Sequence, residues 1–211
     1  MPLLDPLSTV IASLKRESII PDVLPEDFYP SSLFSIVWPN GKEAVLGNEL
    51  TREDTLDEPS INFAPMNVPP EQADSSGEAG SVRDLTYTVV MFDPDAPSKA
   101  DPKFKCFRHW VITGLKAPPQ TSLQSDNLLA TKTKPATTPY RPPGPPPGTG
   151  LHRYIFLLFQ EPASVPIEIP QGEPEYGATL EERRSWNAID FAQKYGLVLV
   201  GANFFICRST E

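Results

Sequence analysis

Proline occupies 26 of the 211 positions, about 12% against a usual ~5%. Each proline fixes φ and removes a backbone donor, so prolines break helix interiors and keep to strand edges and turns. A chain punctuated this often is not a helical bundle. It favours short strands joined by stiff loops. Hydrophobic residues still make up 39%, which at this length builds one sizeable core rather than two. A single domain over residues 1–211 is expected.

Six runs read as strands: 33–38, 60–63, 85–92, 107–113, 153–159 and 197–206. All are rich in β-branched and aromatic residues and bounded by proline, glycine or aspartate. Residues 5–17 read as an amphipathic helix, with Asp5 as cap, Pro6 at the first helical position and Lys15-Arg16 in the last turn. Leu4, Leu7, Ile11 and Leu14 form its apolar stripe, and Pro21 stops it. Near the other end, the capping pattern Thr179-Leu180-Glu181-Glu182 predicts a helix running through Trp186 and Tyr195 to Gly196. The pattern is mainly β, α+β in class, with a small helix near each end. Two stretches read as loops: the acidic segment 68–82, expected at the surface, and the long Pro-rich segment 116–149.

Eighteen basic against 27 acidic residues leave a net charge of −9. That argues against a nucleic-acid partner, which needs a basic patch to neutralise phosphates, but leaves room for a local anion pocket. Two cysteines, Cys106 and Cys207, make neither a disulfide framework nor a zinc site. The start of the chain lacks a secretory pattern, and no window approaches 18 apolar residues. A cytoplasmic monomer with at most peripheral membrane contact is expected.

Familiar catalytic signatures, GxSxG, HExxH, GxxxxGK[ST] and GxGxxG, are absent. The chemistry-bearing residues are instead the only two histidines, His109 and His152, the Asp93-Pro94-Asp95 turn and Tyr154. Tyr154 lies two residues beyond His152, hence on the same face of a strand. Two imidazoles, carboxylates and a phenol at one sheet end suit a phosphate monoester, a diester or a carboxylate. The acid favours a zwitterionic ligand over a bare anion. Two histidines and a carboxylate also fit a mononuclear metal site, but nothing in the spacing enforces ligand geometry, and no metal or cofactor is expected.

Three stretches resemble the phosphatidylethanolamine-binding protein family: Asp93-Pro94-Asp95-Ala96-Pro97 with its continuation to Phe104, Phe107-Arg108-His109-Trp110, and Gly144 through Tyr154. The N-terminal helix and the Ala202-Asn203-Phe204-Phe205 ending are most similar to its fungal branch of carboxypeptidase Y inhibitors. The resemblance implies an antiparallel β-sandwich with small peripheral helices. It also implies an anion pocket involving Asp93, Pro97, Phe107, His109, Gly144, Pro145, His152 and Tyr154, with a cis bond at Ala96-Pro97. Phe107 stands where many members have Trp, and Arg108 where many animal members have a second His, which would add positive charge near the pocket mouth.

The function so implied is a non-enzymatic regulator that binds a phospholipid headgroup or small anion. Its partner would be a serine carboxypeptidase, blocked partly through the N-terminal segment, or a signalling protein. The start Met1-Pro2 departs from that pattern, because a proline terminus offers no ordinary acylated amide. A different reading takes His109, His152, Asp93 and Tyr154 as the acid/base set of a small-molecule isomerase or cyclase. A third is a scaffold docking through the 68–82 loop.

Overall fold

The computed structural model describes residues 5–65, 85–118, 128–163 and 167–209. Two antiparallel sheets stack face to face. The smaller has the order β2-β1-β3, from Ser32–Val37 (β1), Glu43–Ala44 (β2) and Ser60–Pro65 (β3). The larger has the order β6-β5-β4-β7-β8, from Thr86–Asp93 (β4), Phe107–Lys116 (β5), Thr131–Lys132 (β6), Leu151–Gln160 (β7) and Val198–Arg208 (β8).

Burial along the strands follows from this layering. On β1, buried and half-buried residues alternate, because only one face meets a neighbour. Strands β4 and β7 are buried almost throughout, because both faces of the large sheet are covered. Val89, Met91, Phe156 and Leu158 pack against Phe34, Ile36, Trp38 and Ile61 of the small sheet. Val90, Phe92, Ile155, Leu157 and Phe159 share the other core with Leu14, Ile19 and Phe191 from helical segments. Each full burial of such a side chain stabilises by about 1.5–3 kcal/mol, so these two layers are the main source of stability. The expected β-sandwich with small terminal helices is what forms.

The first helix, α1, spans Pro6–Arg16. Asp5 caps it by accepting from the Leu7 amide at 3.1 Å. Of the expected stripe Leu14 is buried, Leu7 and Ile11 are half-buried and Leu4 lies outside the described residues, while Val10, off the stripe, is buried too. Ser18 at φ 56° ends the run, and a single turn, α2 (Ile19–Asp22), follows with Ile20-Pro21 cis.

The second helix starts later than its capping pattern predicts. Thr179 and Glu182 do bond reciprocally, with the Thr179 amide 3.0 Å from Glu182 Oε2 and the Glu182 amide 3.4 Å from Thr179 Oγ1. They close a succession of turns instead of a helix, and Ser185 at φ 54° breaks any continuation. The helix α3 is Ala188–Tyr195, capped by Asn187 and ended by Gly196 at φ 64°, a left-handed cap that suits glycine. Trp186 precedes it and donates to Glu175 instead.

Of the predicted loops, 68–82 and the 119–127 part of the Pro-rich stretch lie outside the described residues. The rest of the Pro-rich stretch is bound to the sheet. The amides of Val111 and Thr138 each donate to the other's carbonyl at 3.2 Å, and the Arg141 amide donates to the His109 carbonyl at 3.0 Å. This segment thus prolongs the sheet edge beyond β6 and delivers Arg141 to His109.

Candidate functional site

Strand parity sets up the site. On β7, His152 and Tyr154 face the small sheet, as Phe156 and Leu158 do, and Arg153 faces the helices. At the end of β4, Asp93 pairs with Phe107 of β5 and Phe92 with Arg108. Next comes an irregularity: Met91 pairs with Trp110, so His109 is an extra residue on β5. Such a bulge re-aims a side chain. His109 keeps the face of Phe107, two residues back, and the bulge brings the adjacent Trp110 to that face as well; the rings of Phe107 and Tyr154 lie 5.0 and 5.1 Å from that of His109.

The four polar residues are nearly sealed: His152 is fully buried, and Tyr154, Asp93 and His109 keep 1, 3 and 4% exposure. Asp93 Oδ2 lies 2.8 Å from His152 Nδ1, and its Oδ1 accepts the Asp95 amide at 2.7 Å. Burial raises the Asp93 pKa, opposed by its hydrogen bond to His152. The Thr149 hydroxyl gives its one proton to the Pro146 carbonyl at 2.7 Å, so at 2.9 Å it accepts from His152 Nε2. Both His152 nitrogens are therefore held by the protein.

His109 differs. Its Nδ1 lies 2.7 Å from the Arg141 carbonyl, which can only accept, so Nδ1 carries the proton. Burial pushes its pKa down to about 3; the bond to that carbonyl opposes this, and the charges of Arg183, Arg141 and His152 add to it. Its Nε2 has no hydrogen-bond partner among the described residues. The Tyr154 hydroxyl accepts a long 3.4 Å bond from the Gly144 amide and keeps its own proton to give. Burial holds that phenol well above its ordinary pKa, with Asp93 adding to the shift. The ring itself is fixed by stacking on Phe205, centroids 5.2 Å apart at 16°.

Around this group, Phe107, Pro97 and Pro145 are half-buried and Gly144 is exposed. Pro97 follows the cis bond predicted at Ala96-Pro97.

Two sequence expectations need correction. Asp95 does not share the site: Arg153 binds its carboxylate with Nε on Oδ2 at 2.9 Å and Nη2 on Oδ1 at 2.7 Å. The strand ends at Asp93, so parity no longer carries Asp95 to the same side. Arg108 adds no charge at the mouth either. As His109's neighbour it points to the helix face, fully buried, donating to Thr138 Oγ1 and to the carbonyls of Pro174, Gly177 and Glu182. Sequence reasoning missed Thr149, Arg141 and Arg183. Only Thr149 left a signal, a hydroxyl three residues before His152.

Two grooves of about 440 and 450 Å³ run along residues 184–194 on the helix-covered face, lined in part by Arg108 and Trp186 and by Phe92 and Cys106. They do not include the histidines. Burial raises the Cys106 thiol to about 11, with Asp22 and Asp93 adding and Lys105 opposing, so it is a poor nucleophile. Among the described residues, no group of three or more His, Cys, Asp or Glu side chains could hold a metal ion. No helix among them is long and apolar enough to cross a membrane.

Comparison with known proteins places this geometry. A profile of the family described as "Phosphatidylethanolamine-binding protein" matches residues 41–205, which include both histidines and both aspartates. The chain belongs to the phosphatidylethanolamine-binding protein family. It is 29% identical over 214 residues to the carboxypeptidase Y inhibitor of Saccharomyces cerevisiae, covering 94% of each chain. Among solved structures it is similar to carboxypeptidase Y inhibitor complexed with its cognate proteinase, with a TM-score of 0.75 and 26% identity over 99% of this chain and 98% of that one. It is also similar to a phosphatidylethanolamine-binding protein from Plasmodium vivax, with a TM-score of 0.69 and 28% identity over 95% and 97% of the two chains.

Proposed function

We propose that this protein is a non-catalytic binding protein that inhibits a carboxypeptidase of the carboxypeptidase Y type and holds a small phosphate-type oxyanion in the recess at His109 and Tyr154. The observation that carries the inhibitor half is the likeness to carboxypeptidase Y inhibitor, in sequence and fold, over nearly the whole of both chains. The recess half is supported by the convergence of a phenol, an amide and an imidazole on one nearly sealed point. The same residues give little support to an acid/base enzyme, because both nitrogens of His152 are committed to Asp93 and Thr149.

The N-terminal segment is the inhibitory element in this reading. Arg153 supports its placement by donating to the Glu17 carbonyl at 3.0 Å and to Asp22 at 2.8 Å, which fastens the end of α1 to the large sheet. Residues 1–4 lie outside the described residues.

The test is carboxypeptidase Y turnover of a peptide substrate against increasing amounts of this protein. Loss of activity at about one equivalent is expected, as for a tight one-to-one inhibitor. Unchanged turnover at large excess would remove the inhibitor half and leave the recess to be judged separately.

A further inference from the structure

Two buried charged groups on the helix-covered face are left incompletely bonded. Arg108 donates through Nε to Thr138 and through Nη2 to three carbonyls, but its Nη1 has no hydrogen-bond partner among the described residues. Glu175, 4% exposed, accepts the Trp186 indole on Oε1 at 2.8 Å, and its Oε2 has no partner among them either. Buried charges without full pairing are costly, so each of these atoms lacks a counterpart that the fold does not supply.

The two groups are tied together. Arg108 Nη2 donates to the carbonyl of Pro174, next to Glu175, and Thr138 Oγ1 accepts from Arg108 Nε while donating to the Glu175 carbonyl. Both residues line the groove of about 440 Å³ beside α3, within the ~300–1,000 Å³ of small-molecule sites. Pro174, Trp186 and Phe191 supply its apolar wall. Its other charges are already engaged: Arg184 with Glu181, Lys194 with Glu173 and Glu182 with Thr179. Asp190 stands in the first turn of α3, where it complements the helix dipole. What remains is one donor of positive charge and one acceptor of negative charge. A bare anion would meet Arg108 and be repelled by Glu175, and a bare cation the reverse. A neutral amide meets both with partial charges only. An α-amino acid meets each with a full charge, carried on groups one carbon apart.

We infer that this groove binds a free α-amino acid with an apolar side chain. The ligand's carboxylate accepts from Arg108 Nη1, its ammonium donates to Glu175 Oε2, and its side chain packs on Trp186 and Phe191. Both protein atoms are closed to solvent in the empty groove, so the ligand parts it at Trp186. That ring lies over the Arg108 guanidinium, 5.6 Å from centroid to carbon, and follows Ser185 at φ 54°, a strained conformation for a serine. The groove does not include the histidines, so the inference is independent of both halves of the function proposed above.

Calorimetric titration of the intact protein with free phenylalanine tests this, beside N-acetylphenylalanine, phenylalaninamide and the doubly blocked N-acetylphenylalaninamide. At pH ~6, where α-amino groups are charged, free phenylalanine is expected to bind with a Kd of ~1 mM or tighter. Each singly blocked form loses one charge and should bind about tenfold more weakly or worse. Glu175→Gln keeps an oxygen for the Trp186 indole but offers no charge to the ammonium, so it should weaken phenylalanine about tenfold as well. The blocked ligands pose the same question to the parent protein, so the result does not depend on the variant folding. Nitrogen-15 NMR locates the site. The Trp186 indole signal, assigned with Trp186→Phe against those of Trp38 and Trp110, should move on saturation, with both imidazoles unmoved. Absence of binding by free phenylalanine would overturn the inference. So would equal binding of the doubly blocked amide, which would make the occupant a peptide group, or a response centred on His109.

Discussion

Asp93 and Asp95 stand two residues apart, and each is joined to one of two adjacent residues on β7, His152 and Arg153. The two pairs face opposite sides of the large sheet and differ in kind. Arg153 is saturated: Asp95 binds it twice, Asp22 once, and the carbonyls of Glu17 and Ser18 take its remaining donors. Burial works against its charge, but Asp95 and Asp22 outweigh that and raise its pKa above the usual arginine value. The His152–Asp93 pair is just as buried, yet it sits beside a neutral imidazole with a bare nitrogen and a phenol with a proton to give. The Arg153–Asp95 pair has spent its polar groups on the fold. The other keeps two in reserve, and that reserve is what makes it a site.

The same substitution at the two aspartates should separate these roles. Asp95→Asn leaves Arg153 with a buried charge and only Asp22 to balance it, so a loss of about 3 kcal/mol is expected in urea unfolding, at an unchanged slope. Anion binding by the residual folded protein should survive.

Acid stability should report the site side. With the folded His109 pKa at about 3 against an ordinary 6.5, the unfolded chain binds more protons between those values. The contribution of His109 is therefore complete above about pH 6.5 and is lost as pH falls toward 3, by up to ~1.4 kcal/mol per unit. Asp93, whose pKa is raised, acts in the opposite sense above its ordinary 3.8. The difference in unfolding free energy between the parent and His109→Gln, followed from pH 7 downward, isolates the histidine. A parallel pair of curves would mean that His109 titrates normally.

Asp93→Asn should cost less than Asp95→Asn, about 1 kcal/mol, because the new amide oxygen still accepts from the Asp95 amide and the new amide nitrogen can donate to a neutral His152 Nδ1. Equal losses at the two positions, by the same urea measurement, would erase the contrast between the pairs. The smallest effect on stability belongs to Tyr154→Phe. Its hydroxyl holds only the long bond to Gly144, so the change should stay within ~0.5 kcal/mol while phosphorylethanolamine binding weakens about tenfold.

Much of this was readable from residues alone. The strands announce themselves by aromatic and β-branched runs, and the shared face of His152 and Tyr154 follows from a period of two. The same period also puts Arg108 opposite the pocket, and there the carry-over from relatives misled where parity would not have. Two features had no local signal. The bulge that leaves His109 and the adjacent Trp110 on one face depends on how β5 pairs with β4, which β5's own sequence does not encode. The reach of Asp95 toward Arg153 depends on where β4 stops. The capping pattern at Thr179 makes its reciprocal hydrogen bonds but starts no helix, since such a cap can close a turn and Ser185 turns the chain away.

The account depends most on which groups of the two sides remain free, and nitrogen-15 NMR of the two imidazoles and of the Arg153 guanidinium reads this directly during a titration with phosphorylethanolamine. The expected result is a neutral His109 protonated on Nδ1 in the free protein. Added ligand should move its Nε2 signal, with the Arg153 Nε signal unmoved. A His109 protonated on Nε2, or a ligand response centred on Arg153, would contradict the assignment of the site to the His109 face.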